Sequence, residues 1–446
     1  MQVSPRRRQE IVDALRRGTV PQRGLDVMAV GLDRFAPTIN AELGVVANGG
    51  AQFKAVRGEY GAGKTFFARW LSETAKSADF ATSEVQISET ETPLHKLETV
   101  YRRIVESIAT SSAQPSAFKE IIDNWFFNLE GDVVDSGVDA RDRSAVARAT
   151  DELIEKRLAN VSKTAPAFSA ALRGYRSAVE SGDSAEADGL IAWLGGQPHV
   201  AASVRRYAGV KGELDHFGAL GFLQGLLAVL KDSGYAGLVV ILDEVETLQR
   251  VRADVREKSL NSLRQLLDEV DAGRFPGLYI LITGTPAFFD GQQGVQRLPP
   301  LAQRLETKFE TNSRFDNPRA PQLRLTGFTY ESLHELGGRI RDIYADGADN
   351  GYRVASAVDD AFITDFASKI AGQLGGKVGI APRVFLRQLI DVMDKVDLYA
   401  DYDPRREALG ETGALTALTE EEQAAIRRGD VRTGATTGVD DIDLGL

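Results

Sequence analysis

The chain contains no cysteine. That excludes disulfides, thiolate catalysis and Cys-based zinc sites together. Histidine is scarce: His95, His199, His216 and His334 are the full complement. None has another histidine three or four positions away, so the paired spacing of a helical metal site is missing. No apolar run approaches the roughly 20 residues that a membrane-spanning helix needs, and no membrane partner is expected. Arg6-Arg7-Arg8 near the N-terminus has no apolar stretch behind it, so a signal peptide is not expected and the expected setting is cytoplasmic. An excess of positive charge is missing too. The 53 Lys and Arg against 64 Asp and Glu give a net charge of −11, which argues against a surface that binds nucleic acid everywhere. A local basic face is compatible with that balance. Arg6-Arg7-Arg8 and Arg16-Arg17 fall on one amphipathic helix predicted over 5–18, although a solvated helix face explains them more simply.

What the chain does have is Gly58-Glu59-Tyr60-Gly61-Ala62-Gly63-Lys64-Thr65, which satisfies GxxxxGK[ST]. Phe53 to Arg57 before it reads as an alternating strand, and Phe66 to Leu71 after it as the start of a helix. Strand, glycine-rich turn and helix are the context a phosphate-cradling P-loop requires. The glycines let several backbone N–H groups converge on one anion, and the helix N-terminus adds its positive end. Lys64 would reach the β- and γ-phosphates of a nucleotide, and Thr65 would give a hydroxyl to Mg²⁺. Gly58 to Phe66 is thus the expected binding segment.

At 446 residues the chain is long enough for two or three domains. Strands are predicted at 52–57, 80–88, 237–242, 277–282 and 322–325. The runs Gly237 to Leu242 and Gly277 to Ile282 are continuously apolar, as strands buried on both faces should be. Helices are predicted at 32–46, from the P-loop to 77, and at 94–108, 220–230 and 260–270, then from 330 to about 398. Residues 20–31 read as extended or looped. Thr65 and the carboxylates after the third strand are 178 positions apart, far more than βα units of roughly 30 residues require. Residues 112–212 therefore read as a helical insertion, and insertions of that size are more often functional than idle. The expected organisation is an N-terminal helical segment (1–50), an α/β core (51–327) with the insertion, a helical C-terminal lid (328–402) and a polar, flexible tail (403–446).

Leu238 to Leu242 runs straight into Asp243-Glu244, a Walker B pattern beside the P-loop. Asp243 would hold Mg²⁺, and Glu244 would polarise the attacking water as a general base. Glu246, two residues on, reads rather as a supporting or surface carboxylate. Leu281-Ile282-Thr283-Gly284-Thr285-Pro286 ends the next buried strand in two hydroxyls. In a sheet of the AAA+ kind that strand lies between the P-loop and Walker B strands, and its end resembles the sensor 1 position. Thr283 is favoured there, with Thr285 as the alternative. Gly379-Ile380-Ala381-Pro382-Arg383 opens a helix where AAA+ proteins place sensor 2, which makes Arg383 the candidate. Arg297, Arg304 and Arg314 are candidates for an arginine finger, Arg304 foremost.

The chain resembles the BrxD-like ATP-binding proteins of BREX phage-defence systems. The resemblance rests on Arg6 to Pro21, Phe53 to Thr65, Glu84 to His95 and Leu242 to Leu248, and spans about residues 5 to 400. The stretch Val85 to His95 and the N-terminal block are more specific than the Walker elements. The resemblance implies an AAA+-like P-loop ATPase that takes ATP with Mg²⁺. It would act with other BREX proteins, including a helicase, against foreign DNA. A homo-oligomer is expected, and the segment Val20 to Gly31 would line the adenine pocket.

Overall fold

The computed structural model describes residues 3–113, 115–373 and 382–410. The chain divides into two compact units. One gathers Leu32–Gly58 with Lys64–Leu325. The other gathers the described residues of Met1–Gly31, Glu59–Gly63 and Thr326–Leu446.

The larger unit is built on a five-stranded sheet of β1 (Gln52–Arg57), β2 (Phe80–Gln86), β3 (Gly237–Asp243), β4 (Leu278–Gly284) and β5 (Gln322–Arg324). The strands lie in the order β2-β3-β4-β1-β5, and every pairing is parallel. Helices flank the sheet, so the fold is α/β. The apolar runs of β3 and β4 are buried along their length, with only Asp243 at the end of β3 partly open. Register carries the consequence for chemistry: Val56 lies opposite Thr283, Leu242 opposite Ile282, and Gln86 opposite Asp243. The carboxyl ends of β1, β4, β3 and β2 therefore form one row. Gly237 starts β3 because nothing larger fits, since a Cβ there would stand 2.4 Å from the Gly277 carbonyl oxygen.

Two local expectations change. β1 does not alternate: Lys54 and Arg57 are both buried, each held by a carboxylate, Glu42 and Asp290 respectively. β4 runs on through Thr283 and Gly284, so Thr283 carries the last side chain of the strand rather than being part of a turn.

The described residues between 112 and 212 contain only helices and their connections, from Phe118–Asp135 to Ala202–Tyr207. They share one core with the sheet layer instead of forming a separate one. The helix His216–Asp232 is the common wall. Phe222 on it meets Phe168 at 5.2 Å, Trp193 at 5.3 Å and Tyr101 at 5.8 Å between ring centroids. Edge-to-face aromatic packing of this kind adds to the gain from area burial.

In the smaller unit, the N-terminal helix Pro5–Arg16 packs against the C-terminal helix Pro382–Leu398. Arg8 pairs with Asp346. Arg16 spans to Asp394 at 2.8 Å, and Asp394 also accepts from the Tyr344 hydroxyl at 2.7 Å. Arg7 pairs with Asp26, and Arg6 with Glu10 at 3.2 Å. Arg6, Arg7, Arg8 and Arg16 thus each meet a carboxylate of their own unit. The segment 20–31 is not wholly looped, because Leu25–Met28 forms a short helical turn whose Leu25, Val27 and Met28 are buried. Beyond residue 402, Pro404–Glu407 forms another turn, with Arg405 on Asp359 at 2.7 Å. The start of the expected tail is therefore structured, and residues 411–446 lie outside the described residues, as do Gly379, Ile380 and Ala381 of the sensor 2 motif. No described helix is long and apolar enough to cross a membrane.

Candidate functional site

The P-loop joins β1 to the helix Lys64–Ser77. Gly61 (φ 81°) and Gly63 (φ 90°) take the left-handed conformation that only glycine adopts without strain. The turn of the loop thus depends on both. Gly58 is anchored by its N–H to the Gly284 carbonyl at 3.1 Å, which ties the loop's start to the end of β4. Phe66 is half-buried on the first turn of the helix, while Glu59 and Tyr60 are exposed. Lys64 is buried. Its ammonium donates to the Gly58 carbonyl at 3.0 Å and stands 3.7 Å from the carboxylate of Glu246.

The P-loop helix and the ends of β3 and β4 meet at Asp243. The Thr65 hydroxyl donates to Asp243 Oδ2 at 3.2 Å. The Thr283 hydroxyl donates to Asp243 Oδ1 and accepts from the Glu244 N–H, the latter at 3.1 Å. Of the two threonines offered by the sequence, Thr283 joins this cluster. Thr285 is buried at the start of the helix Pro286–Asp290 instead.

Glu244 takes a left-handed backbone (φ 59°) that few residues other than glycine adopt. The strained turn swings its side chain out of line with the strand. There the Gln86 side-chain amide, at the end of β2, donates to its carboxylate at 2.9 Å. Gln86 was not read as a site residue. Its place follows from sheet register, which no local pattern carries. Thr247 closes the turn by donating to the carbonyls of Glu244 and Ile87 at 3.0 and 3.2 Å.

Glu246, read from the sequence as a supporting or surface carboxylate, is buried beside Lys64. It is 5% exposed, on the 3₁₀ turn Val245–Gln249. Neither carboxylate oxygen has a hydrogen-bond partner. Burial pushes its carboxyl above the ordinary carboxylate range. Lys64 opposes that shift, and Glu244 and Asp243 add to it.

Among the described residues, none of Arg297, Arg304 and Arg314 shares a hydrogen bond or ion pair with this cluster. Arg304 is closed by Asp268 at 2.6 Å and Asp271 at 2.7 Å. It borders the cleft at Gln52, Phe53 and Lys54, the opposite end of β1 from the P-loop. Arg297 is exposed on a 3₁₀ turn, and Arg314 is exposed over the Phe315 ring. Arg383 lies on the exposed first turn of Pro382–Leu398, in the smaller unit, and reaches the Gly18 turn there.

A parallel five-stranded sheet with a glycine-rich loop leading from β1 into a helix, and a carboxylate at the end of β3, defines an α/β protein of the P-loop nucleoside-triphosphatase type. Within that class, the chain belongs to the family of BREX system ATP-binding proteins BrxC/D, whose model matches residues 3–411. The match runs past residue 400, about where the sequence resemblance was expected to stop. A search of curated proteins finds no match to the chain. Family membership makes this an ATP-binding protein of a phage-defence system, with other BREX proteins as its partners.

Proposed function

We propose that the chain is an AAA+-like ATPase that hydrolyses ATP with Mg²⁺ to switch or assemble a BREX complex on DNA. The observation that carries this reading is the hydrogen-bonded set Thr65–Asp243–Thr283, drawn from the first turn of the P-loop helix and two neighbouring strand ends beside Lys64. A hydroxyl and a carboxylate 3.2 Å apart are hard oxygen donors of the kind Mg²⁺ takes. Thr65 and Asp243 would hold the ion, which supplies charge neutralisation at the phosphate oxygens. The backbone of Gly58 to Phe66 would cradle the phosphates, and Lys64 would meet their β and γ groups. Glu244 would take the proton of the attacking water as it adds to the γ-phosphorus and ADP leaves. Thr283 keeps Asp243 and the Glu244 backbone in register, and would sense the γ-phosphate. Arg383 serves as sensor 2 in this reading. Arg304 is the candidate finger for a neighbouring copy in a homo-oligomer, acting once released from Asp268 and Asp271. Residues 20–31 would line the base, the setting is cytoplasmic, and a helicase is among the partners.

One observation favours a second, slower reading. Glu244 is engaged by Gln86, so a nucleotide-gated switch with low basal turnover fits as well as a continuous motor. A subunit that never hydrolyses fits less well, because the full set of Walker side chains is in place. ATP turnover by the purified protein, alone and with single- or double-stranded DNA, tests these readings. Lys64→Ala and Glu244→Gln serve as controls. DNA-stimulated turnover lost in both variants supports the motor. Turnover that appears only with BREX partners supports the switch. ATP binding with no turnover under any of these conditions sinks both.

A further inference from the structure

Glu246 is the one carboxylate of the site that the proposed mechanism leaves idle. It is buried, as Lys64 is, with both oxygens lacking a hydrogen-bond partner. Its charged neighbours are Lys64, 3.7 Å away on the P-loop helix, and the like-charged Asp243 and Glu244 on β3 and the turn after it. A buried carboxylate without donors relies on its nearest cation, because desolvation of an ion costs several kcal/mol unless it is paired. Here that cation is the ammonium assigned to the phosphates. Any polyphosphate that draws Lys64 toward itself takes it from Glu246. It also sets its own charge beside three carboxylates.

We infer that Glu246 is a positioning residue that competes with phosphate for Lys64, so that nucleotide binds well only when a divalent cation accompanies it. The inference rests on the reading of this P-loop as an ATP site. The competition is electrostatic, and it acts on ADP as much as on ATP. It therefore speeds release of product and weakens metal-free nucleotide most. A residue that merely propped Lys64 in place would have the opposite effect, since its loss would loosen binding.

The test is equilibrium binding of fluorescently labelled ADP and ATP to the full chain, in EDTA and in excess Mg²⁺. Wild type, Glu246→Gln, Glu246→Ala and Glu246→Asp are compared, with thermal melting to establish that each is folded. Glu246→Gln and Glu246→Ala are expected to bind ADP roughly tenfold more tightly in EDTA, as loss of one close like charge implies, with a smaller gain in Mg²⁺. Glu246→Asp keeps the charge and should stay near wild type. Should the Gln variant fail to fold, the Ala variant carries the same expectation. Unchanged or weaker ADP binding by the folded Gln or Ala variant overturns the inference and leaves the ATP site standing. No nucleotide binding by wild type in either condition overturns the ATP reading itself, and the inference with it.

Discussion

Two buried lysines, one on β1 and one on the helix that follows it, are built differently. On β1, Lys54 is 2% exposed. It meets Glu42 at 2.6 Å and donates to the carbonyls of Ala320 and Pro318 at 2.9 and 3.3 Å. Glu42 in turn accepts from the Tyr279 hydroxyl at 2.8 Å. Past the P-loop, Lys64 is 8% exposed. Its carboxylate neighbour, Glu246, stands farther off at 3.7 Å and has no hydrogen bond of its own. Burial alone thus does not make the two pairs alike. Glu42 is met by both Lys54 and the Tyr279 hydroxyl, whereas Glu246 has only the ammonium of Lys64 nearby, and a buried charge short of hydrogen bonds is the more costly of the two.

The largest effect that sharpens this contrast is catalytic. Glu244→Gln is expected to lower the turnover number by roughly 10²–10⁴, the usual contribution of a general base, while ATP binding persists. Steady-state hydrolysis beside nucleotide binding measures both. The Lys54 pair should respond in stability instead. Lys54→Met leaves Glu42 buried without its cation, which costs about 3–5 kcal/mol by analogy with other broken buried pairs. Urea unfolding reads that loss, and turnover per folded molecule should hardly move. Glu246→Gln should do the reverse, changing stability by less than about 1 kcal/mol, or raising it, because an unsatisfied buried charge is removed. Equal destabilisation by the two variants would erase the distinction between the two pairs.

How much of this was readable beforehand follows the range of each signal. The P-loop and the Asp243-Glu244 strand end are written in runs of six to eight adjacent residues, each with its own strand or helix alongside, and they come out where the sequence puts them. Thr283 was legible because β4 is an unbroken apolar run, with only the strand's last residues left to settle. Glu246 could be placed only as a supporting or surface carboxylate, because a position just past a strand has no periodicity to choose between the two. The left-handed Glu244 and the 3₁₀ turn after it are what turn that side chain inward. The partners of the arginines were not legible for another reason. Arg304 is claimed by Asp268 and Asp271 on the helix Ala253–Asp271, and Arg8 and Arg16 by Asp346 and Asp394. Such pairings join residues tens to hundreds of positions apart, and no local pattern announces them.

The next effect distinguishes the two threonines. Thr283→Val removes the hydroxyl that bridges Asp243 and the Glu244 N–H. Hydrogen bonds to charged groups contribute about 1.5–3 kcal/mol, so turnover should fall by roughly 10- to 100-fold. Thr285→Val should leave it within about threefold, because that hydroxyl has no part in the cluster. If Thr285→Val proves the more damaging, the γ-phosphate is sensed from the turn and the Thr283 cluster serves only to hold the strand ends.

The smallest effect concerns Gln86, and its sign matters more than its size. The Gln86 amide holds Glu244 by a single hydrogen bond of 2.9 Å, on the partly open end of β2. Such an exposed contact stabilises modestly, and its loss is expected to raise basal turnover by about two- to fivefold if Glu244 must leave Gln86 to reach the attacking water. Gln86→Ala would then also blunt stimulation by DNA or by BREX partners, since part of what they release is already free. Should Gln86 instead aim Glu244 at the water, the same substitution lowers turnover and stimulation survives in proportion. Basal and stimulated rates of one variant therefore decide between restraint and support. A fall in the basal rate would move Gln86 into the catalytic set and remove the main support for a gated switch.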